Sequence, residues 1–334
     1  MNPIHAHAAT AARAELTAFS YQPEPLGPDD VEITISHCGI CHSDLHLLDN
    51  DWQISSYPLV PGHEIVGQVA AAGTAVHNIE VGQRVGVGWL RGSCQSCDEC
   101  LTGQDNLCAQ GQATCVGHYG GFADRIRVDG RFAFAIPAGL ASENAAPLLC
   151  GGATVYSPIR RLAAPHMRIG VIGIGGLGHL ALQFARAFGC HVTALSSSPD
   201  KEGEARSFGA HEFIATGSPN ALKQATGRFD LILSTVFAEL DWTGLIQALR
   251  PNGRLVLLGA VGTPISVPAM YLILGQKSIQ GSVIAGRPLI REMLEFASRH
   301  GIAARTEVMP MAQANAGLAH LRAGRARYRV VLAT

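Results

Sequence analysis

The pattern of apolar and polar positions divides the chain into two parts. Up to about residue 145, short runs with period-two character are broken repeatedly by Gly and Pro. Residues 31–36 alternate towards Gly39, 65–71 end at Gly73, and 83–88 lead into a cysteine-rich loop. Short alternating runs without sustained helical periodicity predict an irregular, mostly β domain. After Cys150, strand-like and helix-like segments take turns. Strands are expected at 167–172, 191–195, 213–215, 229–235 and 254–259, with helices at 176–188, 200–208 and 242–249 between them. Such alternation predicts a parallel sheet with helices on both faces. Further helices are expected around 290–298 and 312–323, and a last strand at 328–332.

Composition narrows the class. The 334 residues are 47% hydrophobic and 15% charged, with a net charge of −1. That length suggests about two domains, and the balanced charge gives no basic field for nucleic acid. No segment reads as a secretory signal or a membrane span: the Gly-rich apolar stretch 169–182 contains His179 and is too short. A soluble, cytoplasmic protein is expected, with its nine cysteines serving as metal ligands and buried thiols.

Cys94, Cys97, Cys100 and Cys108 follow the spacing C-x2-C-x2-C-x7-C. Four thiolates so placed suit a closed tetrahedral zinc site, which stabilises its loop and performs no chemistry. A disulfide would need an oxidising compartment, and an iron–sulfur cluster also takes four thiolates. Gly173-Ile174-Gly175-Gly176-Leu177-Gly178 fits G-x-G-x-x-G between an expected strand and helix. In that context the glycines allow a tight turn, a close approach to pyrophosphate and close helix packing. Where NAD sites usually carry a ribose-binding carboxylate, this chain reads Ser196-Ser197-Ser198-Pro199-Asp200-Lys201. Hydroxyls and a lysine favour a 2′-phosphate and hence NADP(H), with Asp200 the complication. Thr235, at the end of the expected strand 229–235, joins these candidate cofactor contacts. Cys41, His63 and Cys150 form a second candidate ligand set, since Cys2His with an open position suits catalytic zinc. Cys38, Cys115 and Cys190 read as structural thiols.

The words GICHSDLH, VPGHEIVG, PLLCGGATVYSP and GIGGLGH, with the four-cysteine loop, resemble the zinc-dependent medium-chain dehydrogenase/reductase family. GVGW, SSSPDKE and ARYRVVL make the chain similar to its cinnamyl-alcohol dehydrogenase branch, bacterial NADPH-dependent aldehyde reductases above all. The resemblance runs from about residue 25 to the C-terminus. It implies a GroES-like β-rich catalytic domain over 1–150, completed by 286–334, and a Rossmann NADP-binding domain over 151–285.

By the same resemblance, Cys41, His63 and Cys150 hold catalytic zinc, which Glu64 joins in some states. Asp44 orients His63, and Ser43 and His46 form a proton relay. His42 meets the cofactor pyrophosphate, and Thr154 lies near the nicotinamide. The implied activity is NADP(H)-dependent interconversion of aldehydes and primary alcohols on small molecules. An NAD-dependent primary alcohol or polyol dehydrogenase is the enzymatic alternative, and a non-catalytic dinucleotide-binding or redox-sensing protein the other. A homodimer built by edge pairing of Rossmann sheets is implied, with 256–258 or 279–284 as the candidate edge.

Overall fold

A computed structural model describes residues 2–218 and 220–334, which fall into two compact units. One comprises Met1–Ala153 with Ala285–Thr334, and the other Thr154–Ile284. The first begins with a hairpin of β1 (Ile4–Ala8) and β2 (Thr17–Tyr21). Its sheet is then laid down by β3 (Asp30–Ile40), β4 (Ile65–Ala72) and β5 (Arg84–Val87). The small pair β6 (Leu90–Gly92) and β7 (Gln112–Ala113) brackets the cysteine loop, and β8 (Arg125–Asp129) and β9 (Ala133–Ala135) follow. Period-two burial holds along β8, whose Ile126 and Val128 point inwards.

The second unit is a six-stranded sheet. It contains β10 (Arg168–Ile172), β11 (His191–Ser196), β12 (Glu212–Ala215), β13 (Phe229–Ser234), β14 (Leu249–Leu257) and β15 (Ser278–Gly281). The spatial order β12-β11-β10-β13-β14-β15, with every pair parallel, is the Rossmann arrangement expected from the sequence. Central strands covered on both faces must be apolar throughout, and in β10 every residue after Arg168 is buried. Strand β14 begins earlier than its apolar run, at Leu249. Its register against β13 jumps from Phe229–Leu249 to Leu231–Arg254, so Pro251, Asn252 and Gly253 form an irregularity inside the strand. The expected helix 200–208 is shorter: Pro199–Lys201 form a 3-10 turn, and the α-helix is Glu202–Ser207.

One expectation fails here. Residues 256–257 belong to β14, which is paired on both sides and cannot supply an edge. The edges are β12 and β15.

The chain then returns to the first unit through the helix Arg287–His300, β16 (Thr306–Pro310), the helix Ala314–Arg322 and β17 (Arg329–Ala333). Strand β17 lies between β16 and β3, giving the order β16-β17-β3-β4-β5-β9 with β8 also on β3. Val31, Ile33, Ile35, Val69, Val85, Val330 and Leu332 share the resulting core. Among the described residues no helix is long and apolar enough to cross a membrane.

Candidate functional site

Cys41, His63, Glu64 and Cys150 come together although the first and last lie 109 positions apart in sequence. Their ligand atoms all lie within 4.8 Å of one another. Cys41 follows the end of β3 and precedes the helix His42–Asp49, while His63 and Glu64 precede β4. Cys150 precedes the helix Gly151–Leu162, which opens with two glycines and contains Pro158. Gly39, beside Glu64, has no room for a side chain: an added Cβ would meet Glu64 Oε2 at 2.1 Å.

Asp44 ties the loops to one another. It is wholly buried, and its Oδ2 accepts from the Cys41 backbone N–H at 2.8 Å. Oδ1 accepts from the Gly62 N–H at 2.9 Å and from His63 Nδ1 at 3.1 Å. The proton on Nδ1 leaves Nε2 with its lone pair, and this buried atom has no hydrogen-bond partner. Glu64 is held from the other side by Arg329, through an ion pair from the guanidinium to Oε1. Its second oxygen, Oε2, is also buried without a partner. Burial pushes the Glu64 carboxyl up to about 7, against the opposing pull of Arg329. The Cys41 thiol is drawn well below its usual range by hydrogen bonding with Cys150, helped by His63 and Arg329.

Buried polar atoms without partners are costly, and two here converge with two thiols. Two sulfurs, an imidazole nitrogen and a carboxylate oxygen within 4.8 Å of one another fit a zinc ion. Ser43 Oγ lies 3.7 Å from Cys41 Sγ. His46 Nδ1 meets Asp51 Oδ2 at 2.8 Å, and its ring lies 5.1 Å from that of Trp52. Trp89 packs edge-on against His63 at 4.9 Å and lies 6.2 Å from Trp52. His42 is exposed at the first turn of its helix.

The four-cysteine loop is a separate cluster, also with all ligand atoms within 4.8 Å. Its Cys94–Cys108 and Cys94–Cys100 sulfur separations are 3.5 and 3.9 Å. A tetrahedron with zinc–sulfur bonds of about 2.3 Å has edges of about 3.8 Å, whereas a disulfide is about 2.05 Å. The spacing therefore suits zinc. Backbone N–H groups of Ser96 and Cys97 draw the Cys94 thiol down to about 6. Inside the loop, buried Asp105 accepts from the Arg287 backbone N–H at 2.9 Å and from its Nε and Nη2 at 2.9 and 2.7 Å.

In the other unit, Gly173 has φ +84°, and a Cβ on Gly178 would sit 1.8 Å from the Gly173 carbonyl oxygen. A Cβ on Gly175 would meet nothing within 4 Å. Packing therefore does not demand that glycine, and the space beside it is open. Gly176 and Leu177 lead from this turn into the helix Gly178–Ala187, and the Leu177 carbonyl accepts from Leu180 and Ala181. Thr235 braces the turn, its hydroxyl donating to the carbonyls of Ile172 at 2.7 Å and Gly173 at 3.0 Å. Lys201 Nζ donates to the Ile174 carbonyl at 3.0 Å, directly over the glycine turn. Ser196 ends β11, Ser197 is exposed, and the Ser198 N–H donates to Ser196 Oγ at 3.2 Å. Asp200 is exposed. Thr154 is buried on the helix Gly151–Leu162.

Sequence reasoning gave no role to Arg329, Trp52 or Trp89, and placed Cys115 outside the site. Arg329 had a readable signal: a lone arginine in an apolar strand needs a buried partner. Cys115 lies with Asp44 and His63 in a buried cluster, and nothing in its local sequence announces that.

Two family descriptions match the chain: an alcohol dehydrogenase GroES-like domain over residues 27–138 and a zinc-binding dehydrogenase over 176–299. The aldehyde reductase AdhA of Synechocystis sp. is 47% identical over 330 residues, covering 98% of each chain. A cinnamyl alcohol dehydrogenase from Sorghum bicolor superimposes with a TM-score of 0.95 at 38% identity, covering 99% of this chain and 98% of that one. A Helicobacter pylori cinnamyl alcohol dehydrogenase complexed with NADP(H) gives 0.91 at 30% identity, with 99% and 98% covered.

Proposed function

Because the chain belongs to the zinc-dependent medium-chain dehydrogenase/reductase family, on its cinnamyl-alcohol dehydrogenase branch, we propose that it is an NADP(H)-dependent aldehyde reductase of broad specificity. The reaction interconverts aldehydes and primary alcohols. The observation that carries this reading is the Cys41–His63–Cys150 cluster, with the buried, partnerless His63 Nε2 and the adjacent Glu64. Held there, zinc supplies Lewis acidity at a carbonyl oxygen, and NADPH supplies the hydride.

The chain's own residues do the rest. Asp44 fixes the His63 tautomer and, through the Cys41 N–H, the position of the first thiolate. Arg329 balances the charge of Glu64 so that the carboxylate and two thiolates can share a dry site. Ser43 passes a proton to the product oxygen, and His46, oriented by Asp51, exchanges it with solvent. Trp52 and Trp89 offer aromatic surface to the apolar part of an aldehyde. Lys201 and Ser196–Ser198 receive the 2′-phosphate, which exposed Asp200 does not oppose. The protein is a homodimer in this reading. Edge strand β15, flanked by exposed Met270, Ile273, Leu274 and Val283, provides the contact.

Initial rates with NADPH and NADH across one panel of aryl and alkyl aldehydes test the assignment. NADPH is expected to give the higher kcat/KM, and Lys201→Met to raise the KM for NADPH about tenfold while sparing NADH. A strong NADH preference in the unaltered protein refutes the cofactor assignment. Failure to reduce any aldehyde with two zinc ions bound refutes the activity.

A further inference from the structure

The second unit carries a pocket of 760 Å³ at the amino ends of its central strands, the opposite end of β10 from the glycine turn. This volume lies in the range of small-molecule sites. Arg168, Arg186, Arg228, His191 and His211 contribute to its lining, and Glu212 is its carboxylate among the described residues. Glu212 is already shared: Arg228 pairs with one oxygen, and His191 Nε2 meets the other at 2.8 Å. Arg168 has its backbone N–H bound to Asp230 at 2.8 Å, but no ion pair holds its guanidinium among the described residues.

Arg186 and His211 stand side by side in this lining. His211 Nδ1 accepts from the Val192 backbone N–H at 3.0 Å, so the proton of the neutral ring sits on Nε2. That nitrogen faces Arg186 Nη1. Arg186 and His211 thus present N–H donors side by side at the pocket wall. Nearby carbonyls are already engaged by backbone donors. At the end of the helix Gly178–Ala187, those of Phe184, Ala185 and Arg186 accept from Phe188, Cys190 and Gly189. Burial, with smaller contributions from Arg186 and the stacked His191, pushes the His211 imidazole below its usual range and so favours the neutral ring.

We propose that this pocket binds a phosphate-bearing small molecule, whose oxygens accept from Arg186 and His211 together and pair with Arg168. Guanidinium forks match phosphate oxygens in number and geometry. With Glu212 already shared, Arg168, Arg186 and His211 give this lining more donors than its carboxylate can satisfy, and a phosphate supplies several acceptor oxygens at once.

The test uses the zinc-loaded protein saturated with NADP+, so that the glycine turn is already occupied. Inorganic phosphate and glycerol 3-phosphate are titrated separately at constant ionic strength, with the ring C–H resonances of His191 and His211 followed by NMR. A saturable shift of both rings is expected, with binding weakened about tenfold or more by Arg168→Gln or Arg186→Gln. Exposed Arg299, outside the pocket, gives the charge-matched control Arg299→Gln, which should change nothing. Tighter binding of the ester identifies an organic phosphate as the occupant, and equal binding identifies free phosphate; either supports the site. No saturable shift with either probe, or equal weakening by Arg299→Gln, overturns it.

Discussion

Asp44→Asn separates the orientation of the metal ligands from their presence. The carboxylate accepts three hydrogen bonds, from the Cys41 and Gly62 backbones and His63 Nδ1. An asparagine keeps one acceptor oxygen. Placed towards His63 and Gly62, it turns its NH2 on the Cys41 N–H; placed towards Cys41, it confronts two donors. Leaving one buried donor unpaired costs about 1–3 kcal/mol. Losing an orienting partner of a metal-bound histidine weakens metal affinity by about 10–100-fold, or roughly 1.4–2.8 kcal/mol. The expected result is selective. Competition with a chromophoric chelator should release one zinc 10–100-fold more readily, while the zinc of the four-cysteine loop stays as tightly bound as before. Activity should fall with occupancy and recover in part when zinc is added in excess. If both ions are retained with unchanged affinity and turnover stays within about twofold, Asp44 does not work through His63 and the argument fails.

Four further outcomes are expected. Gly175→Ala should leave the Tm of the cofactor-free protein unchanged, because the new Cβ meets nothing, yet weaken NADPH binding about tenfold or more. Gly178→Ala should instead cost about 1–3 kcal/mol of stability through the clash with the Gly173 carbonyl; isothermal titration and thermal melts distinguish the two. Cys108→Ser should lower the zinc content from two to one and the Tm by about 5 °C or more, while the folded fraction keeps its kcat. Burial raises the Cys190 thiol from 9.0 to about 11, so the folded state holds its proton longer than the unfolded one. Its contribution is present below pH 9 and lost as pH rises towards 11. Denaturant melts should show Cys190→Ala lacking that alkaline loss, which is on the order of 2 kcal/mol.

What could be read from the sequence follows from how local each signal is. The Rossmann strands were legible because a central strand buried on both faces must be an apolar run, as in β10 and β13. The four-cysteine loop was legible because its ligands are neighbours in sequence. The helix Gly151–Leu162 was not, since two glycines and Pro158 erase its helical signal and its buried neighbours impose the helix. Strand β14 starts before its expected position because pairing with β13 resumes across a Pro-Asn-Gly interruption that local reading takes as a boundary. The role of Arg329 depends on Glu64, 265 residues away, and the approach of Arg186 to His211 on the packing of β11 beside β12. Pairings across such distances have no local pattern.

The chain's return to its first unit orders events during synthesis. Strand β17 pairs Val331 with Gly39 in β3, and Arg329 meets Glu64 beside the metal ligands. Arg287 closes on Asp105 within the cysteine loop. Thr154–Ile284, by contrast, is one unbroken segment and can collapse as soon as it has left the ribosome. Both thiolate clusters are made early but gain these cationic partners only after that segment is complete. A nascent chain therefore carries exposed, metal-avid cysteines for most of its translation. Zinc bound in that interval would rest on half-built loops, and release of β17 would convert it to tightly held metal. Ribosome-bound chains halted before residue 329 should exchange zinc freely, and full-length chains released from the ribosome should not.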